Sequence, residues 1–307
     1  MSASADRPND RMDSLIRLGD ARIDAILQGV TALFEVVFPT RVRGYYLLGS
    51  FSEHTSVALS DIDLIILFAG GFEGNEEATA QRVVEACGLL SPIRLDIVLQ
   101  SEETLRIEDV RLKLGSLLIT GEDVRAQIPL PTPEAHARYM TDWALWFIRR
   151  LHDGASLGVP LNYPDSTDAF YGYARVRIPG WYPTGTVQGT KEFVATVCWT
   201  ATALLSLILG ADGYVGTKGE AVRRYRDLGD GEWGSYVTEV YSLGKGEWRY
   251  GVPESVTDRQ HLGKLCAQGL PFFNHYLTRY RDYLNQQRRG EDATERQWAE
   301  EQLRQLA

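Results

Sequence analysis

The spacing of apolar and polar positions divides the chain into two stretches of different character. Between residues 12 and 38, Leu15, Ile16, Leu18, Ile23, Ile26 and Leu27 recur at helical spacing and the pattern stops at Pro39, which predicts an amphipathic helix. Two short apolar runs follow, 45–48 and 62–68, separated by Gly49-Ser50 and ten further residues. That order predicts strand, glycine turn, short helix, strand. A helix over about 76–90 then crosses to a β-branched run at 93–99, a helical piece covers 101–113, and a last strand is expected at 117–120 before the turn Gly121-Glu122-Asp123.

The linker 128–133 carries three prolines and breaks any continuing helix. Beyond it the pattern is helical. Thr132 is placed as an N-cap with Pro133 at the first helical position, and the helix to about Gly154 carries Tyr139, Trp143, Trp146, Phe147 and Leu151, aromatics expected to be core. Residues 155–189 are rich in proline, glycine and aromatics and predict a long packed loop or small hairpin; Arg175 and Arg177 there are either surface residues or contacts to a nucleotide or substrate. Residues 193–210 contain no charge, but Thr196, Thr200, Thr202 and Ser206 dilute their hydrophobicity, so they read as the central helix of a bundle and not as a membrane span. Further helices are expected after Thr217 as N-cap and over 230–243, 258–288 and 294–306, with a Gly-rich connection at 244–256 and an aromatic stripe, Phe272 to Tyr283, serving packing. The fold class is thus an α/β (α+β) domain with a small mixed sheet over 1–126, its first ten residues disordered, followed by an all-α helical bundle over 127–307.

Composition narrows the function. At 307 residues and 44% hydrophobic the chain can bury a large core. Its 32 basic and 41 acidic residues leave a net charge of −9, without the basic face of a DNA-binding protein and better suited to a cationic small partner. Three scattered cysteines, Cys87, Cys198 and Cys266, argue for reduced thiols in a cytoplasm and against a disulfide or zinc framework. No phosphate-binding Gly-x-x-x-x-Gly-Lys loop, His-Glu-x-x-His or Cys-x-x-Cys occurs, and the five histidines are scattered, His54 included.

The candidate chemistry lies around the two short apolar runs. Asp61 and Asp63 stand one residue apart at the head of the second run, so in a strand they share a face opposite Ile62 and Leu64. Two carboxylates on one face suit a magnesium ion bound together with substrate phosphates. Gly49 lets the backbone approach a ligand, and Ser50 with the first amides of the following helix can receive a phosphate at the positive helix end. Asp96, between Leu95 and Ile97, is a third acid that would need a partner if buried.

Gly49-Ser50, ten residues, Asp61-x-Asp63 and then Asp96 on a neighbouring strand resemble the signature of the nucleotidyltransferase superfamily, the DNA polymerase β-like enzymes. The segment Leu114 to Asp123 looks like the closing strand of small domains of that kind. In the second stretch, a long apolar helix, a glycine turn and then Thr217-Lys218-x-x-Ala221 resemble the helical domain of the streptomycin and spectinomycin adenylyltransferases, where the lysine in that motif reaches the triphosphate; Lys218 is the matching residue. A lysine at a helix N-terminus is poorly placed for the helix dipole, and an anion would relieve it.

The resemblance implies an ATP- or other NTP-using enzyme with two magnesium ions held by Asp61, Asp63 and Asp96, with nucleotide contacts from Gly49, Ser50 and Lys218. A hydroxyl of a small, aminoglycoside-type acceptor lying between the domains would attack the α-phosphorus and pyrophosphate would leave. Asp96 would bind the second ion or take the hydroxyl proton. Two other readings stay open: a nucleotidyltransferase modifying a protein or tRNA, as toxin or regulator, and a non-catalytic nucleotide sensor, against which the intact acid triad counts.

Overall fold

The computed structural model of the protein describes residues 14–106, 110–152, 154, 157–176 and 187–306. The expected disorder of residues 1–10 and the candidate Arg177 lie outside them. The chain forms two compact units, Met1–Pro131 and Thr132–Ala307.

The first unit is built on a four-stranded sheet: β1 (Val42–Leu48), β2 (Ile62–Phe68), β3 (Leu95–Ser101) and β4 (Leu117–Gly121), in the order β3-β2-β1-β4. β1 pairs antiparallel with β2 and β4, while β2 and β3 run parallel, so the sheet is mixed. Parallel pairing needs a crossover, and α3 (Glu76–Leu90) supplies it between β2 and β3. The two sheet faces meet different partners. Ile62, Leu64, Ile66 and Phe68 of β2 point into a large core with Val30 and Phe34 of α1 (Ala21–Val37) and Val83 of α3. Ile65 and Leu67 point the other way, into a smaller cluster with Tyr46, Leu105, Leu112 and Val124. Cover on that second face comes from little more than a 3₁₀ turn and the short helix α4 (Val110–Gly115). The sheet is therefore fully packed on one side and sparsely covered on the other.

The first helix is shorter than its apolar spacing predicts. Gly19 takes φ +85°, and the Asp20 carboxylate caps α1 by accepting from the amides of Arg22 at 2.9 Å and Ile23 at 3.2 Å. Leu15 and Leu18 still pack on the core, but from an extended lead-in. Ser101 likewise closes β3 instead of opening a helix.

In the second unit, α6 (Lys191–Leu209) is central. It packs against α5 (Pro133–Leu151), α7 (Lys218–Leu228), α8 (Trp233–Tyr241) and the long α9 (Val256–Gln287), and α10 (Ala293–Gln305) closes on α9. α6 is long and apolar enough to cross a membrane, yet most of it is buried inside the protein, as in a core helix. The unit is not purely helical, since Arg175–Val176 pairs with Val187–Gln188 as a minimal antiparallel ribbon. Nor is 244–256 wholly a connection: the chain leaves α8 directly into a π-helical turn, Ser242–Glu247. Gly244 permits it, because a Cβ there would collide with a methyl of Val194. Phe272, Phe273, Tyr276 and Tyr280 are fully buried, as packing residues. Cys87, Cys198 and Cys266 are buried free thiols, and burial holds the Cys266 thiol well above its ordinary pKa.

Candidate active site

β1 ends where Leu48 pairs with Asp63, and the chain leaves the sheet at Gly49 with φ +67°. A non-glycine residue resists that conformation. A second constraint acts at the same atom: a Cβ on Gly49 would fall on Oδ2 of Asp63. The sequence suggests that glycine admits a ligand to the backbone; the structure shows that what comes close is the Asp63 carboxylate itself.

After Gly49 the helix α2 (Gly49–Ser52) is a single turn. The Ser52 hydroxyl lies 2.9 Å from the Gly49 carbonyl and 3.2 Å from that of Gly115, fastening the turn to the end of α4. One turn has almost no macrodipole, so the expected positive helix end is replaced by the first amides of the turn, which have no intrahelical acceptor. Ser50 stands in this turn half-buried, and its carbonyl accepts from the amide of Thr55 at 2.9 Å. His54 is exposed, as expected of an incidental residue.

The approach to Asp61 is set by Ser60, which is buried. Its hydroxyl accepts from the Val57 amide at 2.9 Å and its own amide donates to Val57 at 2.8 Å. The Ile62 amide then donates to the Arg94 carbonyl at 2.9 Å, and the parallel register that follows sets Asp63 directly beside Asp96. The period of two along β2 adds Asp61 to the same face. Asp61, Asp63 and Asp96 each present a carboxylate oxygen within 4.8 Å of the others.

Asp61 and Asp63 are half-buried and Asp96 is exposed. Asp96 does not meet the condition of burial under which it would need a partner: β3 is an edge strand, and its residues 96 and 98 are exposed. Strand register, not the cost of burial, brings Asp96 into the cluster. Two like charges 4.8 Å apart repel by about 1 kcal/mol in water and about 3.5 kcal/mol at an effective dielectric of 20. A divalent cation would turn that repulsion into attraction. The donor set fits magnesium: hard oxygen ligands, partial access to water for its remaining positions, and room for the Asp63 carboxylate that only glycine at 49 provides.

Lys218 belongs to the second unit. It is the first residue of α7, behind Thr217, whose hydroxyl accepts from the Glu220 amide at 3.2 Å. Its Nζ lies 5.7 Å from the centre of the Trp199 ring. Trp199 in turn stacks on Trp143 and Phe147 at 6.0 and 6.2 Å. The aromatics of α5 are thus not core as expected: Tyr139 and Trp146 are each 48% exposed, and Trp143 and Phe147 are half-buried. The buried face of α5 is the neighbouring stripe Ala137, Met140, Ala144, Leu145, Ile148 and Leu151. Both stripes have helical spacing, so periodicity alone could not separate them; the small residues of the second stripe, which allow α6 to come close, were the available signal. Arg175 is half-buried and its guanidinium binds Asp165 at 2.5 Å, an internal tie.

No protein-family model and no curated protein matches the chain. Among solved structures it is similar to the spectinomycin adenyltransferase AAD(9) from Enterococcus faecialis with ATP and spectinomycin, at 11% identity and a TM-score of 0.45, over 80% of this chain and 98% of that one.

Proposed function

We propose that this chain is a magnesium-dependent nucleotidyltransferase that moves a nucleoside monophosphate from ATP to a hydroxyl of a small acceptor and releases pyrophosphate. The observation that carries the reading is the convergence of Asp61, Asp63 and Asp96 within 4.8 Å on the sparsely covered face of the sheet, beside the Gly49 turn. Asp61 and Asp63 would hold magnesium, and the ion would supply neutralising charge to the nucleotide phosphates. Ser50 and the open amides of its turn donate to the outer phosphates. The acceptor oxygen attacks the α-phosphorus, the bond to the bridging oxygen breaks, and that oxygen leaves on pyrophosphate. Asp96, the most exposed of the three, is reached most easily by an acceptor and takes its hydroxyl proton. The resemblance of the Thr217-Lys218 segment makes Lys218 the candidate for a further phosphate contact and supports an aminoglycoside-type acceptor.

The test is to incubate the full chain with α-labelled ATP and magnesium in separate reactions with aminoglycosides, bulk tRNA and cell lysate, and to follow label and pyrophosphate together. Labelled aminoglycoside, abolished in Asp63→Asn, is the expected result. Label on protein or tRNA would keep the reaction and change the acceptor. Absence of magnesium-dependent pyrophosphate release in every reaction, or undiminished turnover in Asp63→Asn, would sink the assignment.

A further inference from the structure

The second unit holds a groove that the proposed reaction does not use. It runs between the loop of Phe170 and Tyr171 and the first turns of α9, has a volume of about 560 Å³, and is lined among others by Val256, Arg259, Gln260 and Lys264. Residues 256, 260 and 264 follow one another at i, i+4 and i+8, so a single face of α9 makes one wall. The other wall is held in shape. Oδ1 of Asp168 accepts from the amides of Phe170 at 2.9 Å and Gly172 at 3.1 Å, and the Tyr163 hydroxyl donates to the Ala267 carbonyl at 2.8 Å. Tyr163 also stacks on Tyr171 with ring centres 4.3 Å apart. The walls meet at Gly263, where a Cβ would lie 3.4 Å from the Ala169 carbonyl.

The groove's charge is opposite to that of the chain. Its lining contains two cations and no acid, in a protein of net charge −9. Arg259 and Lys264 are both exposed, and neither makes an ion pair among the described residues. The Arg259 guanidinium lies 5.2 Å from the centre of the Phe170 ring. That cation–π contact holds the guanidinium at the groove, and its N–H groups are the planar, charged donors that suit a phosphate. Apart from Gln260 the rest of the lining is apolar or aromatic, and it includes Tyr171 and Val256, the latter 72% exposed. Such a surface gains from covering by a planar ring. We propose that this groove binds a small aromatic anion of mononucleotide size, with its phosphate on Arg259 and Lys264 and its ring against Tyr171 and Val256.

The experiment is calorimetric titration of the full chain with AMP in excess chelator, so that no metal-dependent nucleotide binding contributes. One AMP per chain should bind. Asp63→Asn should leave that affinity unchanged, which separates this site from the acid cluster. Arg259→Gln with Lys264→Gln should weaken it about a hundredfold or more, the effect of losing two charge-assisted hydrogen bonds. Lys264→Gln alone, which leaves the Arg259 contact with Phe170 intact, should weaken it in the same direction. Adenosine and inorganic phosphate should each bind at least about tenfold more weakly than AMP, since each presents half of the recognised chemistry. The proposal is overturned if AMP does not bind, if its binding follows Asp63 instead of Arg259 and Lys264, or if phosphate or adenosine alone binds as tightly as AMP.

Discussion

Replacing Gly49 by alanine separates two costs that the structure places on one atom. The first is conformational: φ +67° in an L-residue costs about 1–2 kcal/mol, and the lower entropy of the unfolded alanine chain returns about 0.4–1 kcal/mol. The net loss from backbone alone is therefore about 1 kcal/mol. The second cost is the new methyl meeting Oδ2 of Asp63, which must swing aside. Gly70 provides the control, because it has φ +65° and nothing within 4 Å of where its Cβ would stand. Urea unfolding without magnesium should show Gly70→Ala losing about 1 kcal/mol and Gly49→Ala losing more. In an Asp63→Ala background the excess at position 49 should vanish, since the two residues are in contact. Turnover should separate the variants further: a displacement of about 1 Å in a positioned group can cost about a hundredfold, so Gly49→Ala should fall by that order while Gly70→Ala stays near wild type. Equal stability losses at 49 and 70, with turnover kept at 49, would refute the argument that glycine is there to make room for Asp63.

Three other outcomes are expected. Asp96→Asn should fold normally, being exposed, and lower turnover by about 10²–10⁴ with little change in ATP affinity; a collapse of nucleotide affinity would make it chiefly a metal ligand, and normal activity would remove it from the site. Lys218→Ala should weaken ATP binding by about 1.5–3 kcal/mol while unfolding without nucleotide moves by no more than about 1 kcal/mol for the lost contact with Trp199; unchanged affinity would reduce Lys218 to a packing residue. His136 is almost fully buried with no hydrogen-bond partner on either ring nitrogen among the described residues, and burial pushes its pKa down to about 4. The unfolded chain, near 6.5, takes up the proton first as pH falls, so stability is full above about 6.5 and declines by about 3 kcal/mol towards pH 4; melting curves of wild type and His136→Phe should diverge across that window, and parallel curves would contradict it.

Much of the local structure was legible because it is decided by neighbours in sequence. The helix Glu76–Leu90 follows from an apolar stripe with acids in its first turn, and the starts of α5 and α7 follow from Thr132 before proline and Thr217 before Lys218, whose hydroxyls cap as their side-chain chemistry requires. The pairing of Asp61 with Asp63 is of the same kind, since strand geometry alone puts them on one face. What spacing could not decide was everything that depends on which strand lies beside which. Asp96 joins the other two acids because β3 runs parallel to β2 in a register that opposes it to Asp63, and it is exposed because β3 is an edge strand; both are properties of the sheet. The encounter of Gly49 with Asp63 belongs to the same class, a contact across the β1–β2 pair. On α5 two apolar stripes of equal periodicity competed for the interior, and the approach of α6 selected the small-residue stripe and left the aromatics beside solvent. Periodicity reports which residues share a face, because backbone geometry repeats along the chain. Which face is covered depends on the volumes and positions of distant segments, and only the packed structure supplies those.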